Sequence, residues 1–317
     1  MKMRGLGKTG FRVGEIGHGL WGMGSWSDAD DDASRRSLRC SIKGGCTFFD
    51  SAYVYGNGHS DRLIGGIASE FPDNQLVLAS KIPPADFKWP SDPKKPLHAI
   101  FPRTHVVEYA NRIKAAFGRP IDLLQFHIWE DVWAKEAEWQ DTIVELKAAG
   151  SIKAFGLSLN RWQPENALAA IETGLVETVQ VIYNVFDQAP EDHLFPACRR
   201  ANVGVIARVP LDEGSLGGKM TLETRFPQGD WRAGYFNSDN LAKTVARVEA
   251  LKAILPEGMS LPELALRFIL SEPTVSTLIA GMRSPEHVAQ NLAVSDKGAL
   301  PPDLMTELRG HRWDRRP

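Results

Sequence analysis

Short apolar runs alternate with amphipathic ones along the whole chain. The apolar runs cover 15–21, 47–50, 76–81, 121–127, 152–158, 178–183, 204–208 and 275–280. They are nearly continuous rather than alternating, as expected of strands buried on both faces. Between them the pattern predicts helices at 30–43, 60–69, 104–117, 134–149, 164–173, 190–201, 238–255 and 261–270. Ser284-Pro285-Glu286 opens a further helix, and 302–310 adds a C-terminal one. Ser60 is expected to cap the second helix. Ser260-Leu261-Pro262-Glu263 reads as a capping box, and Pro196 is expected to bend 190–201. Gly44-Gly45, Gly150 and Gly174 stand where helices stop. Two long loops remain, 83–103 and 209–237, and the first residues, 3–13, read as a β-hairpin. Eight strand–helix units predict a (β/α)8 TIM barrel in the α/β class, one domain over 1–317, rather than a doubly wound sheet.

Composition narrows the function without choosing it. The 317 residues are 43% hydrophobic and 24% charged, an ordinary globular profile. A net charge of −2 gives no argument for nucleic acid or a membrane surface. No apolar run approaches the ~18 residues of a membrane span, and Met1-Lys2-Met3-Arg4-Gly5 lacks a signal-peptide core. Cys40, Cys46 and Cys198 have no zinc-like spacing and fit a reducing cytoplasm. We expect them to be small buried hydrophobes. Gly5-Leu6-Gly7-Lys8-Thr9-Gly10 matches G-x-G-x-x-G, but no strand precedes it and the P-loop glycine is missing, so a turn is expected. Oligomeric state has no signature here.

Chemistry gathers at strand ends. Asp50 ends the second strand, Lys81 the third and His127 the fourth, and Tyr55 follows Asp50 in the adjoining loop. In a parallel barrel these ends share one face. A lysine buried there needs a partner, and Asp50 is the neighbouring carboxylate. An ammonium beside a phenol favours phenolate, which would make Tyr55 a usable general acid near neutral pH. Singly, each residue has an ordinary structural explanation; together at one face they point to catalysis. His18, His98 and His105 fit no metal-ligand spacing, so no metal is expected.

The stretch Asp50-Ser51-Ala52-Tyr53-Val54-Tyr55-Gly56 resembles the Asp-(Thr/Ser)-Ala-x-x-Tyr-Gly motif of the aldo-keto reductase superfamily. The resemblance covers essentially the whole chain, and Asp50, Tyr55, Lys81 and His127 match the family tetrad without a gap. It implies a (β/α)8 barrel with an N-terminal hairpin. It also implies hydride transfer between a nicotinamide and a carbonyl or alcohol. Tyr55 would then be the proton donor, Lys81 held by Asp50, and His127 the group that orients the carbonyl. On the cofactor side, Ser158, Asn160 and Gln180 correspond to residues that hold the carboxamide, whose donor and acceptor suit amides and hydroxyls. Arg208, followed by Pro210 and Leu211, stands where many relatives carry an aromatic residue; a guanidinium can also stack on the ring. Gly281, Arg283, Ser284, His287, Gln290 and Asn291 resemble the adenosine site. There a helix N-terminus and an arginine suit a phosphate. Arg283 and Ser284 would meet a 2′-phosphate, although His287 replaces a common arginine. NADPH/NADP+ is therefore the expected cofactor, with NAD(H) the alternative.

Trp21, Tyr53 and Trp129 are the expected substrate-pocket residues, with Trp89, Trp231 and Phe236 as further aromatic candidates. Asp86, Asp212, Glu213 and Asp230 could meet sugar hydroxyls. An aromatic-rimmed site would take an aldehyde, ketone or sugar carbonyl. Two other classes compete. One is a nucleotide-binding regulatory protein on the same barrel; the other is a barrel lyase or isomerase using Lys81.

Overall fold

The structure is a computed structural model that describes residues 1–24 and 30–313. Strands β1 (Met3–Gly5) and β2 (Arg12–Gly14) pair antiparallel as a hairpin. Eight parallel strands close into a barrel: β3 (Ile16–Gly19), β4 (Phe48–Asp50), β5 (Val77–Ile82), β6 (Ile121–Phe126), β7 (Ile152–Ser158), β8 (Thr178–Ile182), β9 (Gly204–Arg208) and β10 (Val275–Gly281). They neighbour one another in chain order, and β10 returns to β3. Around them lie α1 (Asp31–Lys43), α2 (His59–Ser69), α3 (Leu97–Ile100), α4 (Arg103–Phe117), α5 (Ala137–Ala148) and α6 (Leu168–Glu172). The second half adds α7 (Leu194–Ala201), α8 (Arg232–Tyr235), α9 (Ser238–Ala253), α10 (Leu261–Leu270), α11 (Pro285–Ala293) and α12 (Pro302–Arg309). The expected TIM barrel and hairpin are both present.

Side chains alternate across each strand, so every second residue faces the barrel interior. Phe48, Val77, Ala79, Leu123, Ala154 and Ile206 fill its lower part, joined by Leu6 and Val13 from the hairpin region. One pleat higher, the inward positions turn polar: Asp50, Lys81, Gln125 and Arg208. That step from apolar floor to polar rim places the chemistry at the C-terminal ends of the strands. The outward residues pack under the helices in the larger core.

The hairpin closes the floor. Lys8 N donates to Asn202 O at 2.8 Å, and Lys8 Nζ to Gly174 O at 2.8 Å. The Gly-Lys-Thr segment is thus a one-turn plug, Gly7–Thr9, rather than a phosphate cradle. Gly7 has φ +54°, and a Cβ there would stand 2.2 Å from Gly204 N.

Several boundaries differ from the sequence reading. Ser60 does not cap α2. Gly58 holds that place in a left-handed conformation, while Ser60 Oγ bonds Ser51 Oγ at 2.6 Å. The segment 134–149 starts as a helix only at Ala137, after a 3-10 turn at Asp131–Trp133. Only Leu168–Glu172 of 164–173 is helical. The break in 190–201 precedes α7, and Pro196 sits inside its first turn, where a missing N–H costs nothing.

Gly7→Ala should lower the thermal midpoint. It forces a Cβ into backbone at a positive φ, a cost of about 1–2 kcal/mol before the clash is counted. Thermal denaturation checks this, and an unchanged midpoint would contradict the plug.

Candidate active site

β4 and β5 deliver the first pair. Asp50 and Lys81 face inward from adjacent strands and are 2% and 1% exposed. Lys81 Nζ donates to Asp50 Oδ2 at 2.6 Å and to Ser51 O at 2.8 Å. The second carboxylate oxygen, Oδ1, accepts from Gln180 Nε2 at 2.7 Å and from Gln125 Nε2 at 3.4 Å. Lys81 is therefore a paired buried lysine, not a solvated strand end. Burial pulls its pKa below the ordinary value, and Asp50 opposes that shift.

Tyr55 is carried by the loop that leaves β4. Tyr53 N donates to Lys81 O, Tyr55 N to Ala52 O, and Ser60 N to Tyr55 O, so the loop is stitched to β5 and to α2. Gly24 and Gly56 meet behind it. A Cβ on Gly24 would lie 2.8 Å from Tyr55 Cα, and one on Gly56 2.6 Å from Gly24 O. The Tyr55 ring centroid lies 5.4 Å from Lys81 Nζ and 6.0 Å from the His127 ring, edge to face. The expected lowering of the phenol pKa is not what the structure gives. Burial, then Asp50, push it above its ordinary value, with Arg208 opposing. Burial outweighs the neighbouring cation, so the phenol keeps its proton at neutral pH.

His127 follows β6 and is half-buried. Burial, Lys81 and Arg208 hold its pKa well below the usual imidazole value, so the ring is neutral. Its Nδ1 has no hydrogen-bond partner among the described residues. Trp89 stands edge-on to it with centroids 5.6 Å apart.

The rest of the rim divides. Ser158 is buried at the end of β7, in register with Gln180 on β8. Asn160 Nδ2 is drawn to the buried Glu130 Oε1 at 2.7 Å and to Trp129 O at 3.0 Å, while its Oδ1 has no partner among the described residues. Arg208 donates to Leu159 O at 3.0 Å, and its Nε has no partner among the described residues. Burial, helped by Arg161, lowers its pKa to about 10. Pro210 is buried and Leu211 half-buried at the start of the loop after β9. Arg161 ties that loop down: it pairs with Glu213 at 2.5 Å and lies over the Trp231 and Tyr235 rings. Ser284 caps α11, accepting from His287 N at 3.3 Å. Gly281, Arg283, His287 and Gln290 are exposed around that cap, and Asn291 is buried. A Cβ on Gly22 would lie 2.8 Å from Arg283 Nε, so the arginine packs on the turn after β3. Asn160, Arg208 and His127 thus each keep a buried polar atom without a partner among the described residues, and a carboxamide, with a donor and an acceptor, has the chemistry to meet such atoms.

The expected pocket aromatics separate. Trp129 is fully buried among Phe126, Trp133 and Trp139, so it belongs to the helix-side core. Tyr53 turns to α4, packing edge-on against Tyr109 and accepting from Arg112 Nη1 at 3.2 Å. The stretch 53–58 is a turn rather than extended chain, so the two-residue period of a strand does not hold Tyr53 and Tyr55 to one side. Trp21 is 42% exposed beside the mouth. Trp89, which no motif marked, supplies the wall at His127. The acids proposed for sugar hydroxyls have internal partners: Asp86 with Lys95, Asp212 with Ser215, Glu213 with Arg161 and Asp230 with Arg232. Gln125 and Asp61 were also missed. Gln125 lies two residues before His127, so inward parity could have found it. Asp61 on α2 is fully buried and accepts from Ser80 Oγ at 2.9 Å, behind Lys81.

The family model for the aldo/keto reductase family matches residues 15–312. The chain is 28% identical over 293 residues to "Aldo-keto reductase YhdN" of Bacillus subtilis (strain 168), covering 90% of this chain and 86% of that protein. It is 26% identical over 311 residues to "NADH-specific methylglyoxal reductase" of Escherichia coli (strain K12), covering 92% and 93%. Among solved structures, "aldo-keto reductase AKR11C1 from Bacillus halodurans (holo form)" superposes with a TM-score of 0.78 at 24% identity, covering 99% and 97%.

Burial raises the Asp61 carboxyl from 3.8 to about 6, against the pull of Ser51, Ser80, Lys81 and Arg62. The folded protein then binds the proton more tightly than the unfolded chain, so this group's contribution to stability falls as pH rises from about 4 to about 6. Asp61→Asn should therefore gain stability relative to the parent between about pH 4.5 and about pH 7. Thermal midpoints at both values check this; a constant difference would contradict it.

Proposed function

The chain belongs to the aldo/keto reductase family, and on that premise we propose that it is an NAD(P)H-dependent oxidoreductase acting on a carbonyl or alcohol, with Tyr55 as proton donor. One observation carries the reading. Tyr55, Lys81 and His127 converge at the rim, with Lys81 Nζ 5.4 Å from the Tyr55 ring and that ring 6.0 Å from His127.

The bound nicotinamide supplies or accepts the hydride; the chain's own residues manage the proton and the geometry. Burial and Asp50 keep the Tyr55 phenol protonated, so the donor is loaded at neutral pH. When the proton moves to the carbonyl oxygen, negative charge develops on the phenol beside Lys81 and Arg208. Those cations act where the charge appears. His127, neutral and edge-packed between Tyr55 and Trp89, orients the carbonyl oxygen and polarises it. In the oxidative direction the same groups work in reverse.

Ser158, Asn160 and Arg208 would hold the nicotinamide end, with Gln180, whose Nε2 is engaged by Asp50, adding at most its Oε1, and with Pro210 and Leu211 at the start of the following loop. Gly281, Arg283, Ser284, His287, Gln290 and Asn291 would hold the adenosine end. The Ser284-capped N-terminus of α11 and Arg283 favour NADPH over NADH, since an added phosphate meets donors and positive charge there. With its acidic side chains already paired and Trp89 at the wall, the site suits an aldehyde or ketone better than a polyhydroxylated sugar.

Tyr55→Phe should reduce turnover by about 10²–10⁴-fold while NADPH still binds. Fluorescence titration measures the binding, and loss of nucleotide absorbance with an aldehyde and ketone panel measures the turnover. Normal reduction by the variant would remove Tyr55 from the donor role.

A further inference from the structure

A hydrogen bond spans the inside of the barrel. Gln180 Nε2 on β8 reaches Asp50 Oδ1 on β4 at 2.7 Å. In the closed ring of eight, three strands separate β4 from β8 in either direction, so the two residues face each other across the interior. Both are 2% exposed. The carboxylate is thus served from two walls: Lys81 takes Oδ2 from the adjacent strand, and Gln180 takes Oδ1 from the opposite one. Gln125 approaches the same oxygen at 3.4 Å, the weak end of hydrogen-bond range. At that distance Gln125 is a poor substitute for Gln180, and its own Oε1 has no partner among the described residues.

Barrel interiors stack in layers contributed by alternate strands. Here one layer is Asp50 from β4, Gln125 from β6 and Gln180 from β8, where branched apolar side chains usually sit. A buried carboxylate oxygen without a donor is costly, and the amide of Gln180 is the close donor that this oxygen has. The sequence resemblance assigns Gln180 to the cofactor. Its amide nitrogen, however, is already engaged inside the protein, and its register partner on β7 is Ser158.

We propose that Gln180 is a positioning residue for the Asp50–Lys81 pair, holding the carboxylate from across the barrel so that the ammonium stays beneath the Tyr55 ring. The wall expected to receive the nicotinamide is thereby joined to the proton-handling pair on the other side. Besides Lys81, the titratable and charged groups around this pair are Tyr55 above it, His127 after β6, Arg208 on β9 and Asp61 on α2. The kinetic consequence rests on the reductase reading; the hydrogen bond itself does not.

The test uses the full chain with Gln180→Leu, the near-isosteric Gln180→Glu, Asp50→Asn and the double variant Asp50→Asn/Gln180→Leu. In nucleotide-free protein, the stability losses of Gln180→Leu and Asp50→Asn should be non-additive in a double-mutant cycle. With NADPH and an aldehyde, Gln180→Leu should lower kcat by about tenfold or more while the nucleotide KM changes by less than about threefold. Gln180→Glu sets a second carboxyl against Asp50, and two such groups compete to ionise. Its kcat should therefore acquire a loss with rising pH that the parent lacks, and this readout survives if Gln180→Leu folds poorly. Additive stabilities with an unaltered pH profile would overturn the proposal. So would a raised nucleotide KM with unchanged kcat, which would leave Gln180 a cofactor ligand only. If the parent protein reduces no carbonyl, the reductase reading fails on its own. The stability cycle then decides alone: additivity overturns the hydrogen bond's role, and non-additivity upholds it.

Discussion

The buried pair of Asp50 and Lys81 is the constraint around which the rim is built. Both side chains are almost wholly out of water, at 3% and 1% exposure. A charge in that position is tolerated only with its partner and further hydrogen bonds, and removing one partner of such a pair costs about 3–5 kcal/mol. The neighbouring residues meet that demand. Ser51 O takes a second hydrogen from Lys81, and Gln180 satisfies the oxygen of Asp50 that Lys81 does not reach. The apolar floor of Phe48, Val77, Ala79 and Leu123 raises the demand by excluding water from below.

Tyr55 sits over this pair without hydrogen-bonding to it, and that arrangement decides the chemistry. A phenol bonded directly to the ammonium would lose its proton too readily. A phenol in an apolar pocket with no cation nearby could not give it up. Here burial and Asp50 hold the proton on, while Lys81 and Arg208 stand close enough to receive the charge that its departure creates. The close meeting of Gly24 with the Tyr55–Gly56 backbone sets the ring's place. Any larger residue at Gly24 would displace the donor itself.

The barrel was legible because eight apolar runs recur with helices between them, and strand parity then orders everything inside. Asp50, Lys81 and His127 were legible for the same reason: strand ends are marked by where hydrophobicity stops. The sequence also pointed to the Asp50–Lys81 ion pair, since a buried lysine needs an anion. The direction of the Tyr55 shift was not legible, because it depends on how far the fold buries the phenol and on how near Asp50 comes to it. Nor was the separation of Trp129 from Trp89. Trp129 follows His127 closely in the chain but turns outward to the helices, whereas Trp89 comes from a long loop whose path no local pattern records. The hydrogen bond from Gln180 to Asp50 was not legible either, because the two residues lie across the barrel and far apart in sequence. The short helix Leu168–Glu172 was not legible at its true length because the carboxylate that receives its first N–H groups, Asp131, comes from a distant loop.

Lys81→Met keeps length and apolar bulk while removing the charge that the rim is built to hold. The direct measurement is nucleotide binding by fluorescence alongside carbonyl reduction by absorbance, on the same folded preparation. NADPH binding that persists with turnover reduced by about 10²-fold or more is the predicted result. Turnover at the parent rate would contradict the role given to the Asp50–Lys81 pair.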